Sequence, residues 1–266
     1  MSARKAEDRM RAGPLRLGVV VAGVVVLALS GCAGERSKNE KRRDDASNYN
    51  TQLGIDYMNQ GDIPLAKEKL DRALKENPDN AKVHTARAML FDRMHLPSQA
   101  ESEFQTALHL APQDPDVSNN YAVYLCEIGK DEQGVKRFEA VANNALYRTP
   151  WVAYTNAGVC SHAAKHDDVA LANFKRALQV HPNFAEAAFQ LASLQFAKGD
   201  VADARAGIDA YLGAFEETPD LLLLGVQVAK AQNDRVALVL YSRKLHLDFP
   251  TSPQAKALAE IEHNPG

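Results

Sequence analysis

The chain has 266 residues, of which 45% are hydrophobic and 24% charged, a composition typical of folded proteins and not of disordered ones. Residues 1–31 carry five basic and two acidic side chains, which leaves 26 basic against 32 acidic, a net charge of −6, in the rest of the chain. This acidic balance argues against a nucleic-acid partner, because such proteins present a basic surface.

The N-terminal segment has the order of parts found in a secretory signal. Basic residues precede Leu17–Leu29, an apolar run that is too short to span a bilayer comfortably, since a spanning helix needs about 20 residues. The run ends in Leu-Ser-Gly directly before Cys32, which resembles the lipobox of bacterial lipoproteins. By that resemblance, cleavage precedes Cys32, which is then acylated, and Ala33 after it favours the outer membrane. The alternative is an ordinary secretory signal followed by a chance cysteine.

Residues 33–46 contain no large apolar side chain and cannot bury a core of their own. We therefore predict three parts: a signal peptide over residues 1–31, a lipidated cysteine with a flexible tether over residues 32–46, and a folded domain over residues 47–266.

The folded domain repeats with a period of 34 residues. The matching positions include Gly54, Ala88 and Ala122, then Ala66 and Ala100, then Ala73 and Ala107, and then Pro78 and Pro112. This is the pattern of the tetratricopeptide repeat (TPR), in which small residues lie where helix A and helix B cross closely and a proline ends helix B. The repeats start near residues 47, 81, 115, 151, 185 and 218.

The fold class predicted from these repeats is all-α, a right-handed superhelix of about six TPR repeats. A last helix over residues 252–263 would cover the final apolar face, with Ser252 as its N-cap and Pro253 at its first position.

One step between repeats is irregular. The third and fourth repeats are 36 residues apart, so two residues are inserted within residues 146–150. The insertion is either a tolerated loop or a local change of superhelical twist that presents Tyr147 and Trp151 at the surface.

The sequence contains none of the motifs of the common enzyme classes, so we predict a protein without catalytic activity, cofactor or small-molecule substrate. His162 and His166, with Cys160 and Asp167 nearby, have side chains of the types that bind zinc. Because His166 falls at the turn between two helices, solvated histidines are the favoured interpretation, and a metal-dependent enzyme is the rival one.

Apart from Cys32, the chain has two cysteines, Cys126 and Cys160, in the A helices of neighbouring repeats. In an oxidising compartment an even number of cysteines favours a disulfide. Two buried, unpaired thiols are the alternative.

The sixth position of helix A is predicted to face the concave side of the superhelix. In chain order this position holds Gln52, Ala86, Asn120, Asn156, Gln190 and Leu223. An amide offers a donor and an acceptor, so four amides in one row could bind the backbone of an extended peptide. Flanking candidates are Asn119, Tyr121, Tyr124 and Tyr154, of which Tyr121 and Tyr124 could instead be core residues. The alternative for the asparagines is local or water-mediated hydrogen bonding.

Together these features resemble the type IV pilus biogenesis and stability lipoproteins called PilW or PilF. The resemblance rests on the lipobox, the tether, the six repeats and the segments Asn119-Asn120-Tyr121, Leu125-Cys126, Leu146-Tyr147, Asn156-Ala157-Gly158 and Cys160. Ala122 and Ala145 depart from it, because the family commonly has Gly and Pro there.

The resemblance implies a lipoprotein on the inner leaflet of the outer membrane that faces the periplasm. It implies a lipid on Cys32, a disulfide between Cys126 and Cys160, and a pilotin role, in which the protein binds the secretin subunit and promotes its localisation and assembly. The rival function is a general TPR adaptor for other envelope proteins.

Overall fold

The computed structural model describes the backbone of residues 18–263 and the side chains of residues 37–260. Within this range every regular element is an α-helix. In chain order the thirteen helices are α1 (Gly18–Asn59), α2 (Ile63–Glu76), α3 (Ala81–Arg93), α4 (Pro97–Leu110), α5 (Pro115–Glu127), α6 (Asp131–Ala142), α7 (Pro150–Ala163), α8 (Asp167–Val180), α9 (Ala185–Lys198), α10 (Val201–Ala214), α11 (Pro219–Ala231), α12 (Arg235–Asp248) and α13 (Pro253–His263).

The predicted all-α repeat architecture is confirmed, with α1 to α12 as six A–B pairs followed by one extra helix. Each turn between helix A and helix B contains one residue with positive φ. These residues are Gly61, His95, Gly129, Lys165, Gly199 and Asn233. These residues recur with the repeat spacing, including the step of 36. In every repeat, therefore, the chain reverses direction between helix A and helix B through one residue in the left-handed backbone conformation.

The chain divides into two compact units, with the boundary between Val83 and His84 in α3. In the first unit α1 packs on α2, and Met58, Leu70 and Ala73 are fully buried. The second unit buries a series of apolar clusters between successive helices, the largest of them around α9 to α13.

The small residues of the repeat allow helices A and B to approach closely. A Cβ atom added to Gly54 would lie 2.6 Å from Cγ of Leu70, and one added to Gly158 would lie 2.4 Å from Cε1 of Phe174. Both distances are too short for real atoms, so the packing of α1 on α2 and of α7 on α8 depends on these glycines.

The predicted tether is helical in the structure, which corrects the expectation of a flexible segment: residues 33–46 lie within α1. The segment lacks proline and is rich in Lys, Arg and Glu, which favour helices. Its end also binds the C-terminus of α2. Arg43 Nε donates to the carbonyl oxygen of Glu76 at 2.9 Å, and Asn77 Nδ2 donates to Asp44 Oδ1 at 2.7 Å.

The side-chain cap that the sequence predicts for the last helix is present. The amide N–H of Ala255 donates to Ser252 Oγ at 3.1 Å, so Ser252 caps α13 and Pro253 is its first residue.

None of the helices in the described residues is long and apolar enough to cross a membrane. The signal-peptide prediction falls largely on residues 1–17, which lie outside the described range, and the side chain of Cys32 lies outside it as well.

The two inserted residues form a short loop before α7. Leu146 is exposed at its tip, whereas Tyr147 packs against the apolar cluster of α5, α6 and α7. Trp151 stacks on His181, with ring centroids 4.0 Å apart. Both rings therefore contribute to packing, and neither is presented freely to solvent.

Candidate functional site

The four predicted amides lie on A helices, and three of them are bonded within their own helix. Asn120 Nδ2 donates to the carbonyl oxygen of Asp116 at 2.9 Å, and Gln190 Nε2 donates to Glu186 Oε1 at 2.7 Å. In the first unit, Gln52 Nε2 donates to Asp56 Oδ1 at 2.9 Å. No described residue donates a hydrogen bond to the side-chain oxygen of any of these three amides, so each oxygen is available as an acceptor.

Asn156 differs from the other three, because no described residue forms a hydrogen bond with its side-chain amide, which is partly exposed on α7. It therefore offers both its donor and its acceptor to a partner. We use the term A-helix face for the side of α5, α7 and α9 that carries Asn120, Asn156 and Gln190.

Asn120 borders an open cavity of about 260 Å³ between α3 and α5. Phe104 lies at its base, and the other lining residues are Met89, Asp92, Arg93, Asn120, Val123, Tyr124 and Glu127. Apolar side chains, an amide and charged groups thus line one recess, as in sites where a few polar groups orient a largely apolar ligand.

A pair of carboxyl groups lies in this cavity. Burial, followed by the hydrogen bond and the negative charge of Asp92, raises the pKa of Glu127 to about 7, and Arg93 partly opposes the increase. Near neutral pH the Glu127 carboxyl therefore holds its proton for much of the time and can donate it to Asp92. The Glu127 carboxyl therefore changes its charge near neutral pH, and it lines the same cavity as Asn120.

Replacing Glu127 by glutamine tests this titration. Folding raises the pKa of Glu127 above its ordinary value of 4.5, so the folded chain binds more protons and stability falls as pH rises from about 4.5 to about 7. We expect the free energy of unfolding of the Glu127→Gln variant to fall by roughly 1 kcal/mol less than that of the parent between about pH 5 and pH 8. This figure is reduced for solvent screening, because Glu127 is exposed at the surface.

Urea unfolding at the two pH values measures the difference. Glu132→Gln, at an exposed glutamate of α6, controls for the removal of one negative charge. Parallel pH profiles for the parent and the Glu127→Gln variant would show that folding does not raise the pKa of Glu127.

The structure places Tyr121 in the core and not on the A-helix face, which corrects one predicted site residue. The ring is buried against Phe104 of α4 and lies under the guanidinium of Arg137. Its hydroxyl donates to Glu101 Oε1 at 2.7 Å, and burial, with the Glu101 carboxylate second, raises the pKa of Tyr121 to about 12. Tyr121 thus links α5 to α4 through a hydrogen bond that its neutral hydroxyl donates.

The remaining aromatic candidates also face helix B. Tyr124 is buried, its hydroxyl donates to the carbonyl oxygen of Pro97 at 3.0 Å, and only part of its ring lines the cavity. Tyr154 donates to Asn143 Oδ1 at 3.2 Å and lies near Arg176, so it faces α6 and α8. Asn119 is partly buried, and its Oδ1 has no hydrogen-bond partner among the described residues.

Cys126 and Cys160 form a disulfide, with their Cα atoms 5.7 Å apart. It joins α5 to α7, the helices that carry Asn120 and Asn156. Gly134 of α6 provides the space for the disulfide, because a Cβ there would lie 2.3 Å from Cys126 Sγ.

The two sulfurs also lie near Asp131, and one ligand-type atom from each of the three residues falls within 4.8 Å of the others. Because both sulfurs are in the disulfide, they are not available as thiolate ligands.

The histidine cluster is not brought together as a metal site would require. His162 Nδ1 lies 2.7 Å from Asp167 Oδ1, at hydrogen-bonding distance on the surface, and His166 is the N-cap residue of α8. Cys160, the third member of that rival site, is committed to the disulfide.

The sequence did not point to Met89, Asp92 and Glu127, which line the cavity, because the candidates were taken from the sixth position of helix A and from polar or aromatic residues flanking the asparagines. A signal was available: Val123 and Glu127 follow Asn120 by three and seven residues, so all three lie on one helix face. Met89 and Val123 are themselves 34 residues apart, in the same repeat register.

Comparison with known proteins agrees with this fold. Residues 51–115 and residues 163–225 each match a family model described as tetratricopeptide repeat. The type IV pilus assembly protein PilF of Pseudomonas aeruginosa is 28% identical over 233 residues, which cover 86% of this chain and 92% of that protein. An uncharacterized protein of Haemophilus influenzae is 27% identical over 157 residues, 59% of this chain and 87% of that protein.

Two solved structures resemble the chain over most of its length. PilW, described as a widely conserved type IV pilus biogenesis factor, is 28% identical with a TM-score of 0.63, over 80% of this chain and 98% of that one. Pseudomonas aeruginosa PilF is 28% identical with a TM-score of 0.62, over 82% and 98%. The chain is therefore a tetratricopeptide repeat protein that is similar, over most of its length, to the type IV pilus proteins PilF and PilW.

Proposed function

We propose that this protein is a lipid-anchored pilotin, which binds a subunit of the type IV pilus secretin and promotes its localisation and assembly in the outer membrane. The acyl chains on Cys32 would hold it at the inner leaflet, with the repeats in the periplasm. Multiple acyl chains give stable anchoring, whereas a single one is marginal. The protein would act by binding alone, without catalysis or cofactor.

The observation that carries the proposal is the cavity between α3 and α5, bordered by Asn120 and followed on α7 by the unpartnered amide of Asn156. An extended segment of the partner would place an apolar side chain against Met89 and Val123. The Asn120 oxygen would accept a backbone N–H, and Asn156 would pair with both a backbone N–H and a carbonyl oxygen.

The disulfide supports this arrangement, because it joins the two helices that carry the asparagines. Helices joined covalently lose less freedom when a ligand binds across them, so more of the contact energy appears as affinity.

A pulldown from solubilised envelopes tests the proposal. The variant Asn120→Ala/Asn156→Ala removes the amides and leaves the core intact. We expect it to capture at least about tenfold less secretin than the parent, because three hydrogen bonds of roughly 1 kcal/mol each would be lost. Gln99→Ala/Gln179→Ala, at two exposed amides on helices α4 and α8, is the matched control and should capture secretin normally.

Equal capture by the parent and the asparagine variant would exclude the A-helix face as the secretin site. If secretin is not captured by any variant while another envelope protein is, the general adaptor function replaces the pilotin role. The Cys32→Ser variant, expressed in place of the parent protein, tests the lipid anchor. Secretin multimers that still form in the outer membrane would exclude a role for the lipid in their localisation.

A further inference from the structure

Helix α12, the B helix of the last repeat, carries an exposed apolar strip. Among the described residues eleven large hydrophobic side chains are exposed, and four of them lie on this helix: Val236 (81%), Val239 (61%), Leu240 (50%) and Leu247 (66%). No other helix carries more than two of the remaining seven. We call these four residues the α12 strip. Several exposed apolar side chains grouped on one helix indicate a contact site, whereas single ones are common on any protein surface.

The strip residues are not part of the hydrophobic core, because α12 packs into the core with a different side. Ala237, Tyr241 and Leu245 point into the cluster of α9 to α13 and are nearly inaccessible. At about 100° per residue the four strip residues fall within an arc of roughly 100° on the opposite side. Helix α12 is therefore apolar on two sides, of which the tertiary structure covers one.

The charges around the strip are positive. Arg235 and Arg243 are exposed, and neither forms an ion pair with a described residue. Lys244, at the edge of the strip, pairs with Glu217. The exposed acid of this helix, Asp248, is its last residue and lies about 120° around the helix from Val236. The outward side thus combines apolar side chains with cations and contains no carboxylate.

We propose that the α12 strip docks on the surface of an anionic lipid bilayer. A helix that lies in the membrane interface has an apolar strip facing the acyl chains and basic side chains that reach the phosphates, and α12 presents both. Arg235 and Arg243 would complement anionic headgroups. This contact is independent of the lipid on Cys32 and of the secretin site, and it would turn the last repeat toward the membrane.

The test uses the full-length chain with Cys32→Ser, so that no acyl chain contributes to binding, and with Trp151→Phe, which removes the single tryptophan. A tryptophan is introduced at Val239 as the probe or at Val169 of α8 as the matched control, both exposed apolar positions. Binding through the N-terminal segment is common to both proteins, so only the probe reports on α12.

With vesicles that contain phosphatidylglycerol, we expect the emission of the Val239→Trp protein to shift to shorter wavelength and to be quenched by brominated acyl chains, while the Val169→Trp protein remains unchanged. Adding Arg243→Glu should weaken the Val239→Trp response at least about tenfold, because each basic residue near an anionic surface contributes roughly 1 kcal/mol. Circular dichroism confirms that each variant is folded.

The proposal is overturned if the probe does not respond to anionic vesicles, or if the control responds equally. It is also overturned if neutral phosphatidylcholine vesicles give the same response, or if Arg243→Glu has no effect. A probe that responds only to a purified envelope protein, with vesicles inactive, would assign the strip to a protein partner instead.

Discussion

Replacing both Cys126 and Cys160 by alanine is expected to lower the free energy of unfolding of the second unit by roughly 3–4 kcal/mol. The disulfide closes a segment of 34 residues, and removing it restores the freedom of that segment in the unfolded chain. For a unit of this size the melting temperature should fall by roughly 6–15 °C, which calorimetry would measure.

Reduction of the parent protein provides the control, because it opens the same bond without changing a side chain. We expect the parent with dithiothreitol to melt close to the double-alanine variant, and the variant to be insensitive to the reductant. A parent whose melting temperature does not change on reduction would show that packing of α5, α6 and α7 alone holds this region.

The second large effect is expected at Phe174, where alanine should cost roughly 3–5 kcal/mol. The Phe174 ring is 1% exposed and fills the space above Gly158, where no side chain is present to collapse into the cavity that the substitution leaves. Urea unfolding should show a lower midpoint with an unchanged slope.

Val169→Ala, on the same helix α8, is the matched control, because Val169 is 43% exposed and its truncation should change stability by no more than about 0.5 kcal/mol. Similar losses for the two variants would mean that packing of Phe174 on Gly158 does not set the stability of this repeat, because alanine is the better helix former at both positions.

Much of the fold could be predicted because its causes are local. Small residues recur every 34 residues in most of the repeats, glycines mark every second turn between helices A and B, and prolines end several of the B helices. Each of these residue types has one main use in a helix pair, so the repeat boundaries followed from sequence. Ser252 and Pro253 marked the last helix in the same way, because an N-cap and a first-position proline act within one turn.

The site was predicted less completely, because an amide row read from spacing does not show which hydrogen bonds each member already makes. Asn120 and Gln190 are bonded within their own helices, and Asn156 is not. Tyr121 occurs in the Asn-Asn-Tyr segment that marked the site, yet it faces α4, since one residue along a helix turns the side chain by about 100°.

The sequence by itself determined the repeat, the helix boundaries and the pairing of helices A and B, because these depend on local capping, turn chemistry and the size of single side chains. Only the tertiary structure decided which groups remain available to a partner. The binding of Arg43 and Asp44 to α2, the carboxyl pair of Asp92 and Glu127, and the uncovered strip on α12 each depend on contacts between residues distant in sequence. Such contacts form only when the helices pack, and the period of the repeat does not specify them.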